Sequence, residues 1–283
     1  MEPKGKLIII GGAEDKTSKT PAEAVADHSI LERIIVESKH GTNSVIEIVA
    51  TAAQTPKEVG KEYVKVFQEL KAKKVYVLPL EKREDTADKK IVERLAKADV
   101  VFFTGGDQLR LTTILGGSPF YDALVQRLRE DKEFIYAGTS AGAAAVAECM
   151  IVNGTSENAI LKGEVQASNG FGLLSDIVFD THFITRGRIG RLFQIIVTNP
   201  RILGVGLEEN TGLLIQNNKM EAIGPGMTIV VDGREILKNN LLEIRTGAPI
   251  SIEGLKLHVM SRVDVFDLNN RTLEIITPED LKC

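Results

Sequence analysis

The stretch Gly138-Thr139-Ser140-Ala141-Gly142 carries the pattern G-x-S-x-G, in which a serine is exposed at a sharp turn between a strand and a helix. The flanks supply that context. Phe134 to Ala137 is a short apolar run the size of a buried strand, and Ala141 to Ala147 is small and helix-permissive. Bulky neighbours would crowd a serine held at such a turn, and Gly138 and Gly142 avoid this. A helix starting just after Ser140 aims free backbone N–H groups at the space around its hydroxyl. Those groups could stabilise an oxyanion. The chemistry suggested is nucleophilic attack on a carbonyl. The inert alternative is a Gly/Ala-rich turn packed closely against a neighbouring element.

Serine needs a base to take its proton. Of the four histidines, His28 precedes a helical pattern, His40 stands at a helix end before Gly41, and His258 lies in an alternating strand. These read as surface or capping residues. His182 differs, because it follows a strand in the polar run Asp180-Thr181-His182. A third group should orient the base and stabilise its imidazolium. Glu209, past the end of the next strand, is the best-placed carboxylate. Glu208 competes with it, and Asp180 is near enough either to serve or to bind a cationic substrate group. Gly106, after the strand Val100 to Phe103, could bring its N–H to a substrate oxygen. Ala141, the residue after the serine, is the other natural oxyanion donor.

Arg186, Arg188 and Arg191 form a second constellation. Helical spacing puts Arg188 and Arg191 on one face. Their planar guanidiniums suit carboxylates, which they can grip with two parallel bonds. A solvated basic helix face paired with acidic residues is the plain alternative. Gly11-Gly12 and Gly105-Gly106 each follow a strand, but neither forms G-x-G-x-x-G or a P-loop. No His/Asp/Glu cluster has convincing metal-ligand spacing, so no metal is expected.

The elements that must position these groups alternate. Strands are expected at Leu7 to Ile10, Val45 to Val49, Val75 to Leu78, Val100 to Phe103 and Phe134 to Ala137. Helices are expected over Pro21 to Lys39, Pro56 to Ala72, Asp88 to Lys97, Gln108 to Leu115 and Pro119 to Arg129. Such alternation implies an α/β fold with a mostly parallel sheet flanked by helices. Its ligand crevice lies outside the carboxyl ends of the strands, where Gly11-Gly12, Thr51 to Gln54, Gly105 to Gln108 and Ser140 would converge. Residues 154–172 read as loop and turn. A strand over Ile177 to Phe179, a helix over Gly187 to Thr198 and a strand over Leu203 to Leu207 follow. From Gly212 onward the chain reads as short strands, with Asn217-Asn218 and Asn269-Asn270 as hairpin turns. A single domain over residues 1–283 with a β-rich C-terminal portion is the simplest organisation.

Composition excludes several classes. The apolar fraction of 43% and charged fraction of 26% are ordinary for a soluble globular chain. A net charge of −4 and the absence of tryptophan give no reason to expect nucleic acid. No run approaches the ~18 apolar residues of a membrane span, and Leu7 to Ile10 is too short for a signal-peptide core. A cytoplasmic protein with no membrane partner is expected. Cys149 and Cys283 cannot build a disulfide framework or a cysteine-based zinc site.

Taken together, these motifs resemble the cyanophycinase family, serine peptidases of the class I glutamine amidotransferase-like fold. The resemblance rests on Gly11-Gly12-Ala13-Glu14-Asp15-Lys16, Thr51-Ala52-Ala53, Thr104-Gly105-Gly106-Asp107-Gln108 and Gly138 to Ala143. It continues through Asp180-x-His182-Phe183-x-x-Arg186-x-Arg188-x-x-Arg191-Leu192 and Glu209-Asn210-Thr211. It implies Ser140 as nucleophile, His182 as base and Glu209 as its carboxylate. Gln108, Asp180, Thr181, Arg186, Arg188 and Arg191 would line the substrate pocket. The implied substrate is cyanophycin, a polyaspartate with arginine on each β-carboxyl, cleaved by an exopeptidase to β-Asp-Arg dipeptides. Also implied are a homodimer and the absence of metal or cofactor. Thr181 departs from the glutamine common at that position, which bears on side-chain preference. Two alternatives stand beside this reading. One is an aspartyl dipeptidase similar to dipeptidase E, a shorter family with the same elbow. The other is a non-catalytic polymer-binding paralogue. A glutamine amidotransferase is disfavoured, since that chemistry uses cysteine where this chain has Ser140.

Overall fold

The computed structural model describes residues 3–16, 30–277 and 279–280. The first half builds five strands, β1 (Lys6–Ile10), β2 (Val45–Val49), β3 (Lys74–Val77), β4 (Val100–Phe103) and β5 (Ile135–Thr139). Between them run helices α1 (Ile30–Glu37), α2 (Pro56–Glu69), α3 (Lys89–Lys97), α4 (Gln108–Leu115) and α5 (Pro119–Glu130). Successive strand side chains point to opposite faces, so a strand buried on both faces must be apolar throughout. That is why Leu7 to Ile10 of β1 and the whole of β4 are uninterrupted aliphatic or aromatic runs. Leu7, Ile9, Val101, Phe103 and Tyr136 pack with Ile91, Leu111 and Leu124 on one face. Ile8, Ile10, Val100, Phe102 and Ile135 pack with Ile34, Val66 and Phe67 on the other. Residues 21–29 of the first expected helix, His28 among them, lie outside the described residues, as does Cys283.

The second half adds α6 (Ala141–Ala144), β6 (Cys149–Asn153), β7 (Gln166–Asn169), β8 (Ile177–Thr181), α7 (Ile189–Thr198) and β9 (Leu203–Leu207). Then come β10 (Gly212–Gln216), β11 (Lys219–Ile223), β12 (Thr228–Asp232), β13 (Lys238–Asn239), β14 (Ile252–Glu253), β15 (Lys256–Met260), β16 (Val265–Asp267) and β17 (Thr272–Glu274). The large sheet has nine strands in the order β17-β16-β11-β10-β1-β5-β4-β2-β3. Strands β1 to β5 are mutually parallel and β10 onward are antiparallel. A separate four-stranded sheet runs β15-β12-β9-β8, with β8 and β9 parallel. Asn217 and Asn218 both have positive φ, as a tight two-residue hairpin between β10 and β11 requires.

Two expectations are corrected. The helix after Ser140 is one turn long and does not reach Ala147. The carbonyls of Ala145, Val146 and Ala147 accept N–H groups from Phe171, Leu173 and Gly172, so they are taken by a neighbouring segment instead of a continuing helix. The expected loop over 154–172 contains β7, which pairs antiparallel with β6. All four residues of β7 are exposed, so it has no apolar alternation to announce it. Among the described residues, no helix is long and apolar enough to cross a membrane.

Candidate active site

Ser140 stands between β5 and α6 with φ 49° and ψ −104°. A non-glycine residue in this region is strained and persists only where its surroundings hold it. One restraint is the Ser140 N–H, which donates to the Ile10 carbonyl at 2.9 Å. The same turn recurs around it. The His182 N–H donates to the Gly11 carbonyl and the Asn210 N–H to the Gly12 carbonyl, each at 2.9 Å. Both donors also have positive φ. Three consecutive carbonyls at the end of β1 and just beyond it therefore hold the backbone at Ser140, at His182 and next to Glu209.

The side chains meet accordingly. The Ser140 hydroxyl lies 3.0 Å from His182 Nε2, and His182 Nδ1 lies 2.6 Å from Glu209 Oε1. A carboxylate only accepts, so the tautomer that fits carries its proton on Nδ1 and leaves Nε2 to accept from Ser140. This is the connectivity of a nucleophile, a base and an orienting acid. Parallel pairing brings the two strand ends together, since Thr181 of β8 stands opposite Leu207 of β9. Glu208 has a different task. Its carboxylate accepts the N–H groups of Ile184 and Thr185 and the Thr185 hydroxyl. Partial burial pushes that carboxyl up, but these hydrogen bonds outweigh it and hold it below the ordinary glutamate range. Glu208 thus braces the turn after His182. His40 lies 3.9 Å from Asp99, and His258 stacks edge-on against Phe266.

Gly12 lies directly under the imidazole. Its φ is +102°, and a Cβ there would stand 2.5 Å from His182 Nε2. Gly12→Ala is expected to tilt the ring and lower kcat by about 10²-fold, the scale of a ~1 Å misplacement. Steady-state hydrolysis beside a melting curve checks this; unchanged kcat would contradict it. The signal in the sequence was a Gly-Gly pair closing a buried strand, which nucleotide motifs alone did not explain.

Gly105 lies against the serine, and Gly106 follows Gly105 in the chain. A Cβ on Gly105 would lie 3.4 Å from Ser140 Cβ, and Gly106, at φ +140°, is pressed against the Ala52 carbonyl. Among the described residues, the N–H groups of Gly106 and Ala141 have no acceptor. Gln108, at the start of α4, donates its amide to the Ile151 carbonyl of β6 at 2.8 Å.

Asp180 and Arg191 differ from the expectation that both face a ligand. Asp180 is 2% exposed and Arg191 6%. Arg191 grips Asp180 with two bonds, Nε to Oδ2 at 2.8 Å and a terminal nitrogen to Oδ1 at 2.7 Å. Burial pushes the Asp180 carboxyl above the usual aspartate range, against the opposing pull of Arg191 and then Arg188. Arg188, half-buried and pushed down by burial, donates to the Thr181 carbonyl at 2.8 Å and reaches Asp180 at 3.5 Å. Thr181 is buried. Arg186 is exposed, and its carbonyl accepts from Ser156. Among the described residues no group of three His, Cys, Asp or Glu could hold a metal ion.

Comparison with known proteins agrees with this architecture. The model of peptidase family S51 matches residues 7–223. A cyanophycinase of Synechococcus elongatus is 33% identical over 272 residues, covering 96% of this chain and 81% of the relative. A cyanophycinase of Geminocystis herdmanii is 32% identical over 265 residues, covering 93% and 94%. Among solved structures, a peptidase from an acI-B1 Actinobacterium superposes with a TM-score of 0.59 at 18% identity, covering 91% of this chain and 96% of that one. At that identity the likeness speaks for the fold alone.

Proposed function

Since the chain belongs to peptidase family S51 and is a serine-type peptidase, we propose that it hydrolyses the polyaspartate backbone of cyanophycin from a chain end, releasing β-Asp-Arg dipeptides. The observation that carries the mechanism is the relay Ser140–His182–Glu209, at 3.0 and 2.6 Å. In this reading His182 Nε2 takes the Ser140 proton as Oγ attacks the scissile carbonyl carbon. Glu209 steadies the resulting imidazolium. The N–H groups of Gly106 and Ala141 receive the tetrahedral oxyanion. Collapse of the intermediate sends the proton from His182 to the leaving amine and leaves an ester on Ser140. Water, deprotonated by His182, then attacks the ester, and collapse of the second tetrahedral intermediate frees the acid as His182 returns that proton to Ser140 Oγ. Each step reuses one base, and no metal or cofactor enters.

The cyanophycinases of Synechococcus and Geminocystis suggest the polymer, and the charges beside the relay suit it. Every repeat of that polymer offers a free carboxylate and a guanidinium. Arg186 and Arg188 are the cations available to the carboxylate. Asp180 is engaged by Arg191, so its part is to hold that side chain and, through it, the start of α7. Gln108 and Thr181 complete the proposed pocket. Thr181, shorter than glutamine, alters the reach available to the substrate side chain. The same reading includes a homodimer acting in the cytoplasm.

Purified cyanophycin and α-Asp-X dipeptides should be offered side by side, with mass analysis of the products. Release of β-Asp-Arg from the polymer, with little turnover of the α-aspartyl dipeptides, is expected. Turnover of the dipeptides alone would overturn the proposal in favour of an aspartyl dipeptidase.

A further inference from the structure

Behind the elbow lies a buried carboxylate that the relay does not use. Glu14 is 4% exposed. Its two oxygens accept from two neutral hydroxyls, Thr139 Oγ1 at 2.6 Å and the Tyr63 OH. Among the described residues no cation hydrogen-bonds to it. Burying a carboxylate this way is costly, and apolar residues of the same volume would fill the space more cheaply. The position of its partners gives the expense a purpose. Thr139 is the residue immediately before Ser140 and closes β5. Ser140 has no side-chain capping bond of its own. Its strained φ is restrained at the Thr139–Ser140 peptide, whose N–H bonds Ile10 and whose other end is carried by Thr139, while the Ser140 carbonyl on the far side accepts from Ala144. Tyr63 belongs to α2, where its ring packs 4.8 Å from that of Phe102 in β4. Glu14 also lies in the loop whose earlier carbonyls hold the catalytic backbone. The next residue, Asp15, donates its N–H to the Asn210 side chain at 3.0 Å. One short loop is therefore tied both to the elbow and to the segment bearing Glu209.

We infer that Glu14 is a positioning residue for the serine nucleophile, acting through the Thr139 hydroxyl to hold Ser140 Oγ on His182 Nε2. The inference rests on Ser140 being the nucleophile and is independent of which peptide is cleaved. A purely structural role would predict that removing the bond lowers the melting temperature and leaves the reactivity of the folded protein alone.

The rate constant for inactivation by a fluorophosphonate separates the two, because the reagent needs an activated serine and no substrate pocket. Thr139→Val deletes the hydroxyl at nearly constant volume. It is expected to slow inactivation by about 10- to 100-fold, the scale of a small misplacement of reacting atoms. Thr139→Ser keeps the hydroxyl and is expected to stay close to the parent. Glu14→Leu should match Thr139→Val. The double variant should be no slower than the slower single, since both remove the same bond. If Glu14→Leu does not fold, Glu14→Gln replaces it. The amide can accept from Tyr63 and donate to Thr139, so near-parental rates are expected. In steady state the loss should fall on kcat with KM little moved. Folded Thr139→Val labelled at the parental rate would overturn the inference, as would equal slowing by valine and serine or additive losses in the double variant. Failure of the parent itself to be labelled would instead remove the nucleophile assignment beneath it.

Discussion

Ser140→Ala is expected to lower kcat on cyanophycin by about 10⁶-fold while leaving the protein folded, the scale seen when a serine nucleophile is removed from an assembled relay. Two features of the site argue for so clean an effect. The lost hydroxyl caps no helix, and the one group that loses a hydrogen-bond partner with it is His182 Nε2. The backbone strain at φ 49° is set by the turn and by the bond to Ile10, and alanine inherits both. Hydrolysis followed by dipeptide release, beside a thermal melt, reads the result. A variant that melts normally and still releases dipeptide would remove Ser140 from the chemistry.

Arg191→Ala carries the largest expected effect on stability. A solvated arginine–aspartate pair contributes ~0–1 kcal/mol, and an unbuttressed basic face would behave that way. Asp180 and Arg191 are instead almost wholly buried and joined by two bonds. Removing the guanidinium leaves a buried carboxylate with the 3.5 Å approach of Arg188 and a backbone hydrogen bond from Thr181. A loss of about 3–5 kcal/mol is expected. Replacing both partners, as Asp180→Asn with Arg191→Met, should cost less than Arg191→Ala alone, because no buried charge is then stranded. Exposed Arg186→Ala should stay within ~0.5 kcal/mol. Urea denaturation of the three variants checks the order, and equal stability of Arg191→Ala and Arg186→Ala would contradict it.

The large sheet was legible because burial on both faces demands an unbroken apolar run, and Leu7 to Ile10 or Val100 to Phe103 can be little else. The elbow was legible because a crowded turn leaves a mark in residue size at Gly138 and Gly142. Charge has no such directional signature. Arg186, Arg188 and Arg191 share a type and a neighbourhood, yet one is exposed, one half-buried and one locked on Asp180. Glu208 and Glu209 were indistinguishable by composition. They separate because one carboxylate caps the turn at Ile184–Thr185 and the other meets His182. The pairing of β8 with β9 in a second sheet was equally hidden, although both strands could be read. Ladders between strands are long-range choices. Backbone carbonyls were the least visible part. Nothing in the letters Ile10-Gly11-Gly12 says that their oxygens hold the segments bearing Ser140, His182 and Glu209, because every residue carries the same acceptor.

The most direct test of the central claim is to treat the native protein with a fluorophosphonate and locate the adduct by peptide mass. A single adduct on the peptide containing Ser140, absent from the heat-unfolded chain and from His182→Ala, is the predicted result. An adduct on another residue, or none on a preparation that still hydrolyses cyanophycin, would contradict it.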